Sequence, residues 1–363
     1  MKIMQVIPRL EIGGAERMCE SLSSAFKELG HEVVIVSMFD YKTVINQNLE
    51  EKGIKIEYLH KHVGFDLSVK GKLKKLIKQY KPDVIHTHLN TLKYTAGVAS
   101  KLLNQPIVHT VHNVAQKEAP EFDRKTNKKL YQSQKAVPVA LTELVRQTIV
   151  EVYGLNENSI PTILNGSDVR RFVPKTYYEP QNGEICIINV AAFTQAKNHE
   201  CSVETFAKLH QKYPNTRLMF AGTGDKMEAI KSMAEQLGVA DSIDFLGSVD
   251  NIADVLSKSD IFILPSTYEG MPISIIEAMA SGLPVVASRV GGVPDMIDDG
   301  KDGILIDPTV DSLYSALETL INDQALRENL GKQARIKSET MSSIAMAENY
   351  LKLYNQIINK DKQ

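Results

Sequence analysis

The chain is poor in cysteine. Cys19, Cys186 and Cys201 are the only three in 363 residues, and they lie far apart. An odd, scattered set with no Cys-x-x-Cys argues against a disulfide framework or a zinc ribbon and fits a reducing compartment. Long apolar runs are missing as well. No stretch of about 18 apolar residues occurs, so no membrane-spanning helix is expected. The opening segment carries Lys2, Arg9 and Glu11 where a secretory leader needs an unbroken apolar run. Glycine (21) and proline (14) are not in excess, and no repeat or low-complexity tract appears, which removes collagen-like and disordered readings. The net charge of −2 has the wrong sign for a chain that wraps duplex nucleic acid, so no nucleic-acid partner is expected. Gly-x-x-x-x-Gly-Lys-Ser/Thr is absent, and the Gly-x-Gly-x-x-Gly that begins at Gly222 fails at Met227, so neither a P-loop nor a dinucleotide fingerprint is present. These absences leave a cytoplasmic, soluble protein, still able to touch the inner face of the plasma membrane.

The length suits two domains of about 150–200 residues each. Short apolar runs alternate with longer amphipathic ones. Strands are expected at 2–7, 32–38, 55–59, 84–88 and 107–111, with helices at 15–29, 68–80 and 91–103. The rhythm restarts after Pro161, with strands at 185–191, 217–221, 243–246, 261–264, 285–288 and 304–306 and helices at 201–211, 225–237 and 273–281. Runs such as "IFIL" suit strands covered on both faces, and alternation of strand and helix predicts parallel, doubly wound sheets. Two restarts imply two such domains, 1–168 and 169–343. The boundary falls in the polar stretch from Asn165 to Gly183, which carries Pro174 and Pro180. A last helix, about 344–363, has apolar positions Ile344, Leu351, Leu353, Tyr354 and Ile357.

The charge is divided. Residues 1–170 hold 24 Lys+Arg against 18 Asp+Glu, and the remainder holds 18 against 26. The basic half is expected to face something anionic. Lys70, Lys72, Lys74, Lys75, Lys78 and Lys81 cluster around one helix, whose apolar stripe is Leu73, Leu76 and Ile77. Arg124, Lys125, Lys128 and Lys129 form a second cluster. Both read either as solvated faces or as docking points on an anionic membrane, where each basic residue adds about 1 kcal/mol.

The strongest local signal is "STYEGMPISIIEAMASGLPVVAS", residues 266–288. A strand ends, a loop presents Glu269 and Gly270, and a helix starts near Ile273 with Glu277 inside it. Free N–H groups at that helix start suit a diphosphate, and ligands of doubly wound sheets lie beyond the strand C-termini. Without more, Glu269 and Glu277 read equally well as a surface loop acid and a solvated helix position.

The two glutamates eight positions apart, followed by "GGVPDMI", resemble the signature of the family 4 retaining glycosyltransferases. "IPRLEIGGAER", "PDVIHTHL", "IVHTVHN", "ILNGSDVRRFVP", "VAAFTQAKNHE" and "FAGTGD" resemble other motifs of that family, in its order, over nearly the whole chain. The resemblance implies the GT-B fold: two Rossmann-like doubly wound domains facing across a cleft, the N-terminal one for acceptor and the C-terminal one for nucleotide sugar. It implies that the final helix packs back on the N-terminal domain. It matches Glu277 to the glutamate that binds the donor ribose, Glu269 to the one beside the donor sugar, and Lys197 to the diphosphate lysine. Gly13 and Gly14 match a loop approaching the phosphates, and His112 a histidine beside the transferred sugar. Gly222, Thr223 and Gly224 match the wall around the nucleobase, and Gly270, Met271, Pro272 and Ile273 the turn into the donor helix.

The implied reaction moves a hexose or N-acetylhexosamine from a nucleotide sugar, UDP-linked by family frequency, to a hydroxyl of a saccharide or lipid-linked acceptor in cell-surface polysaccharide synthesis. No Asp-x-Asp occurs, so no metal cofactor is expected. One position departs from the pattern. Ala192 stands five residues before Lys197, where the family usually has arginine, and Arg289 is a candidate replacement cation. An epimerase, a glycosidase, a degenerate member and a small-molecule binding protein are the competing readings. His86, His88, His109 and His112 sit at strand ends, where they act either as hydrogen-bonding groups or as metal ligands.

Overall fold

The computed structural model describes every residue except 12, 65, 67, 100–104, 175–182 and 361–363. In chain order the first half forms β1 (Lys2–Ile7), α1 (Gly14–Glu28), β2 (Glu32–Ser37), α2 (Val44–Glu51), β3 (Lys55–Tyr58), α3 (Ser68–Tyr80), β4 (Val84–His88), α4 (Leu92–Val98), β5 (Ile107–Val111), α5 (Ala115–Glu118), α6 (Glu121–Gln132), β6 (Val137–Ala140) and α7 (Glu143–Tyr153). The second half forms β7 (Ile185–Val190), α8 (His199–Lys212), β8 (Thr216–Ala221), α9 (Met227–Gln236), β9 (Ile243–Gly247), α10 (Ile252–Ser257), β10 (Ile261–Leu264), α11 (Ile273–Ala280), β11 (Val285–Ser288), β12 (Ile304–Ile306), α12 (Val310–Asn322) and α13 (Gln324–Ser338). The chain ends in α14 (Ser343–Lys360).

Two compact units result. One is Met1–Gly166 together with α14, and the other is Ser167–Ser342. Each is built on a six-stranded sheet, in the orders β3-β2-β1-β4-β5-β6 and β12-β11-β10-β7-β8-β9, and every pairing is parallel. This is the doubly wound α/β architecture. The order reverses between β1 and β4 in the first unit and between β7 and β10 in the second. Such reversals open a crevice beyond the strand C-termini, because the flanking connections leave in opposite directions.

The cores follow from strand composition. β4, β5, β10 and β11 are buried at every position, so their apolar side chains face helices on both sides. In the first unit Met4, Val6, Ile85, Ile107 and Val111 pack with Val69, Leu73 and Ile77 of α3. In the second, Ile187, Leu218, Phe220, Ile263 and Val286 pack with α8 and α12.

The expected helix over 91–103 is α4, which runs Leu92–Val98 with Ala99 as its cap; positions 100–104 lie outside the described residues, as does 175–182 of the polar stretch. Of the apolar positions expected along α14, Tyr354 is fully buried, whereas Ile344, Leu351, Leu353 and Ile357 are only partly so. Met346, Ala347, Tyr350 and Tyr354 are its buried positions, at helical spacing, and Tyr354 packs on Phe26 of α1 at 5.7 Å between rings. Both tyrosines keep a hydroxyl partner inside the unit, which lets these large aromatic side chains be fully buried while Leu351 and Leu353 stay partly open.

Candidate active site

In the second unit, the loops after β7, β8, β10 and β11 are tied to one another by backbone bonds. Ala191 and Phe193 donate to the Ala221 and Thr223 carbonyls at 3.1 and 3.0 Å, and Thr267 donates to the Ala196 carbonyl at 2.8 Å. Gly292 donates to the Gly270 carbonyl at 2.9 Å. The glycines make these approaches possible. Gly222 has φ +148°, and a Cβ there would lie 2.0 Å from the Ala191 carbonyl oxygen; at Gly224 it would lie 2.5 Å from that of Phe193. Gly291 has φ +57°, and a Cβ would lie 1.7 Å from the Glu269 carbonyl oxygen. Only glycine fits these three positions.

This packing sets Lys197 against Glu269 across the β7–β10 reversal. Lys197 Nζ donates to both carboxylate oxygens of Glu269 at 2.7 Å, and Ser266 Oγ donates to Oε1 at 2.7 Å. The Glu269 side chain is 5% exposed and the Lys197 side chain 24%. Asn198, left-handed at φ 54°, starts α8 and anchors the Lys197 turn by donating its amide to the Pro265 carbonyl at 3.0 Å.

Two residues on, Met271 is buried, and Pro272 sets the extended entry to α11. Ile273, Ser274 and Glu277 form the partly open stripe of α11, since Ile275, Ile276, Ala278, Met279 and Ala280 are buried. Residues four apart share a helix face, so Glu277 stands one turn above the free N–H groups at the helix start.

Arg289 is engaged elsewhere. Its guanidinium bonds Asp299 at 2.5 Å, its backbone N–H pairs with Ile306, and it shares an open groove with residues of β12 and α12. Like Lys197, it is ion-paired in this structure, and its side chain is the more exposed of the two.

In the first unit, Gly13 caps α1 with extended backbone, and Gly14 is the first helical residue. The Glu16 carboxylate lies against Gly13, with Oε2 2.5 Å from where a Cβ would sit. Burial raises the carboxyl pKa of Glu16. The phosphate loop expected here therefore carries its own acid.

His112 follows β5, and its Nε2 lies 3.0 Å from His88 Nδ1. His88 Nε2 in turn lies 2.7 Å from Gln5 Oε1. His86 bonds Thr110 Oγ1 and the Tyr354 hydroxyl, both at 2.7 Å, and Thr110 bonds the Tyr350 hydroxyl at 2.7 Å. His109 bonds Thr87 at 2.8 Å. Burial keeps all four imidazoles neutral, pushing His109 and His112 down to about 3 and His86 and His88 well below the usual histidine value. Among the described residues no group of three or more His, Cys, Asp or Glu is arranged to hold a metal ion.

Sequence reasoning missed Ser266, Asn198, Gly291, Gln5 and Glu118, and it named His88 without its partners Gln5 and His112. Glu118 accepts the Asn113 N–H at 2.9 Å and so holds the turn behind His112, while burial raises its carboxyl to about 7. Gly291 carried a signal in its Gly-Gly pair. The others pair across strands or turns, which spacing along the chain does not reveal.

Two family models divide the chain. Residues 12–171 match "Glycosyltransferase Family 4" and residues 176–337 match "Glycosyl transferases group 1". The chain is 26% identical to N-acetyl-alpha-D-glucosaminyl L-malate synthase of Bacillus anthracis over 97% of this chain and 96% of that protein. It is 26% identical to D-inositol 3-phosphate glycosyltransferase of Corynebacterium diphtheriae over 75% and 70%. The fold matches Anabaena HepE, solved with UDP and glucose, at TM-score 0.84 and 18% identity over 98% of this chain and all of that one. It matches a glycosyltransferase of Rickettsia africae at 0.84 and 23%, over 98% of each chain. The chain belongs to the family 4 glycosyltransferases and has their GT-B fold.

Proposed function

We propose that this enzyme moves a hexose or N-acetylhexosamine from a UDP-linked donor to a hydroxyl of a saccharide or lipid-linked acceptor, with retention at the anomeric carbon, in cell-surface polysaccharide synthesis. The observation that carries the reading is the Lys197–Glu269 pair at the β7–β10 reversal, with Glu269 in the loop that leads into α11. Breaking a sugar–phosphate bond sends an electron pair to the nucleoside diphosphate and leaves positive charge on the anomeric carbon. Lys197 and the N–H groups at the start of α11 oppose the first charge, and the Glu269 carboxylate opposes the second. Glu277 takes the ribose hydroxyls. The Gly222–Gly224 turn lies beside the base. In a front-face displacement the acceptor oxygen bonds to the anomeric carbon on the side the phosphate leaves, and the departing phosphate oxygen takes the acceptor proton. No divalent metal takes part in this reading.

The ligands of similar solved structures support the donor class. HepE was solved with UDP-glucose, and a TarM variant with UDP and alpha-GlcNAc-glycerol. The acceptor is assigned to the basic first unit, with Gly13, Gly14 and His112 serving the donor from that side. Lys70, Lys75 and Lys78 are exposed on α3, Lys74 is partly so, and Lys72 is spent on the Leu59 carbonyl at 2.7 Å. The exposed lysines supply the membrane contact that a lipid-linked acceptor calls for.

The test is Glu269→Gln, which keeps the shape and removes the charge. We expect kcat to fall about 100-fold or more while UDP binding is retained. Near-normal turnover would remove Glu269 from the chemistry.

A further inference from the structure

The buried face of the first unit contains a three-residue hydrogen-bond chain that ends at an open nitrogen. It begins at Gln5, in the middle of β1 and 0% exposed. It passes through His88, the last residue of β4 and also 0% exposed. It ends at His112, which is half-buried in the turn after β5. The contacts are Gln5 Oε1 to His88 Nε2 at 2.7 Å and His88 Nδ1 to His112 Nε2 at 3.0 Å.

Each neutral imidazole has one N–H donor and one bare nitrogen acceptor. Burial keeps both rings neutral. The amide oxygen of Gln5 only accepts, so His88 must donate from Nε2. That leaves His88 Nδ1 bare, and the hydrogen facing it must come from His112 Nε2. The proton count of the chain is then complete, and His112 Nδ1 is the bare nitrogen. Nδ1 makes no hydrogen bond among the described residues, whereas every other ring nitrogen of the pair is used; at the far end of the chain the buried Gln5 Nε2 has no partner among them either.

The surroundings hold the chain still. His86 packs against His88 with ring centroids 4.3 Å apart and planes tilted by 34°, and is itself fixed by Thr110 and Tyr354. The His112–Asn113 turn is fixed by the Glu118 carboxylate. Rotation of His112 would break the one side-chain bond it makes among the described residues.

The geometry points to Gln5 and His88 as positioning residues that set the tautomer of His112, so that it offers Nδ1 to substrate as a hydrogen-bond acceptor. This rests on the placement of His112 beside the transferred sugar proposed above, and it narrows the substrate. A bare imidazole nitrogen accepts from a hydroxyl or an amide N–H. It repels a carboxylate or phosphate oxygen at the same place. The sugar therefore presents a neutral donor group to His112, and a uronic acid with its carboxylate there is excluded.

The experiment is two-bond proton–nitrogen correlation NMR on the full-length, ¹⁵N-histidine-labelled protein at neutral pH, with His112→Gln to assign the signal. The expected spectrum of the unsubstituted protein shows a neutral His112 protonated on Nε2. Protonation on Nδ1, the state in which the Gln5 amide nitrogen donates to His88, overturns the proposal without any activity being measured. Gln5→Leu removes the terminal acceptor and is expected to give an averaged His112 signal. Gln5→Glu keeps an acceptor and is expected to restore the Nε2–H form. An Nε2–H signal that persists in Gln5→Leu would also overturn it.

Kinetics supply the second arm. Gln5→Leu is expected to lower kcat about tenfold, the loss of one hydrogen bond at the sugar, with UDP binding kept and with recovery in Gln5→Glu. Equal kcat in Gln5→Leu and the unsubstituted enzyme contradicts the role in turnover. If no sugar nucleotide is turned over at all, the transferase reading fails, while the NMR result still decides the tautomer.

Discussion

At the scale of single residues, the donor-side geometry rests on positions where a side chain is forbidden as much as on those that carry charge. Gly291 is the clearest. Its φ of +57° and the 1.7 Å approach to the Glu269 carbonyl mean that any Cβ pushes the Glu269 loop off the Lys197 turn. Gly300 has a similar φ of +75° with nothing within 4 Å, so it isolates the backbone cost alone. Gly300→Ala is expected to cost about 1 kcal/mol, and Gly291→Ala more, up to about 3 kcal/mol, with activity lost. Thermal melting of both variants checks this, and equal shifts would contradict the close approach. Glu269 and Glu277 stood out because a strand end, a glycine turn and a helix start surround them in sequence, whereas Lys197 was picked out only by the resemblance of "VAAFTQAKNHE" to the family motif. That Lys197 and Glu269 meet was not legible, because 72 positions separate them and only the β7–β10 pairing brings them together.

At the scale of elements, periodicity reads the strands well. β1, β4, β5, β10, β11 and β12 have the expected limits, since fully buried parallel strands are short apolar runs bounded by turns. α2, α5, α6, α7, α10, α12 and α13 were not read from sequence. α6 is a case in point: its buried residues are Asp123, Asn127 and Tyr131, two of them polar, and Leu130 packs on the core only in part, so no continuous apolar stripe marks it.

The elements β4 and β5 also give a pH dependence. His86, His88 and His109 are fully buried and neutral, whereas in the unfolded chain they titrate near 6.5. As pH falls below that value the unfolded state binds more protons than the folded one, so stability falls, by up to about 1.4 kcal/mol per group per pH unit. Glu118, raised to about 7, works in the other sense, because the folded state holds a proton that the unfolded state has released above about 4.5. Three groups outweigh one. The melting temperature is expected to drop between pH 7 and pH 5, and a flat or rising profile would contradict neutral burial.

At the scale of the whole molecule, the composition showed two α/β units and an uneven charge, and the order of motifs showed the family. What it left open is how completely the diphosphate is countered when Ala192 replaces the usual arginine and Arg289 is bound to Asp299. In the proposed reading Lys197, aided by the start of α11, supplies the cationic part, although it is paired with Glu269 here as Arg289 is with Asp299. The central claim is that these groups suffice to hold a nucleoside diphosphate without a metal. Calorimetric titration of the full-length protein with UDP, GDP and ADP, each with and without EDTA, tests it most directly. The account predicts binding of UDP on the order of micromolar, about −8 kcal/mol, unchanged by EDTA. Absence of binding by all three, or binding lost on adding EDTA, would contradict it.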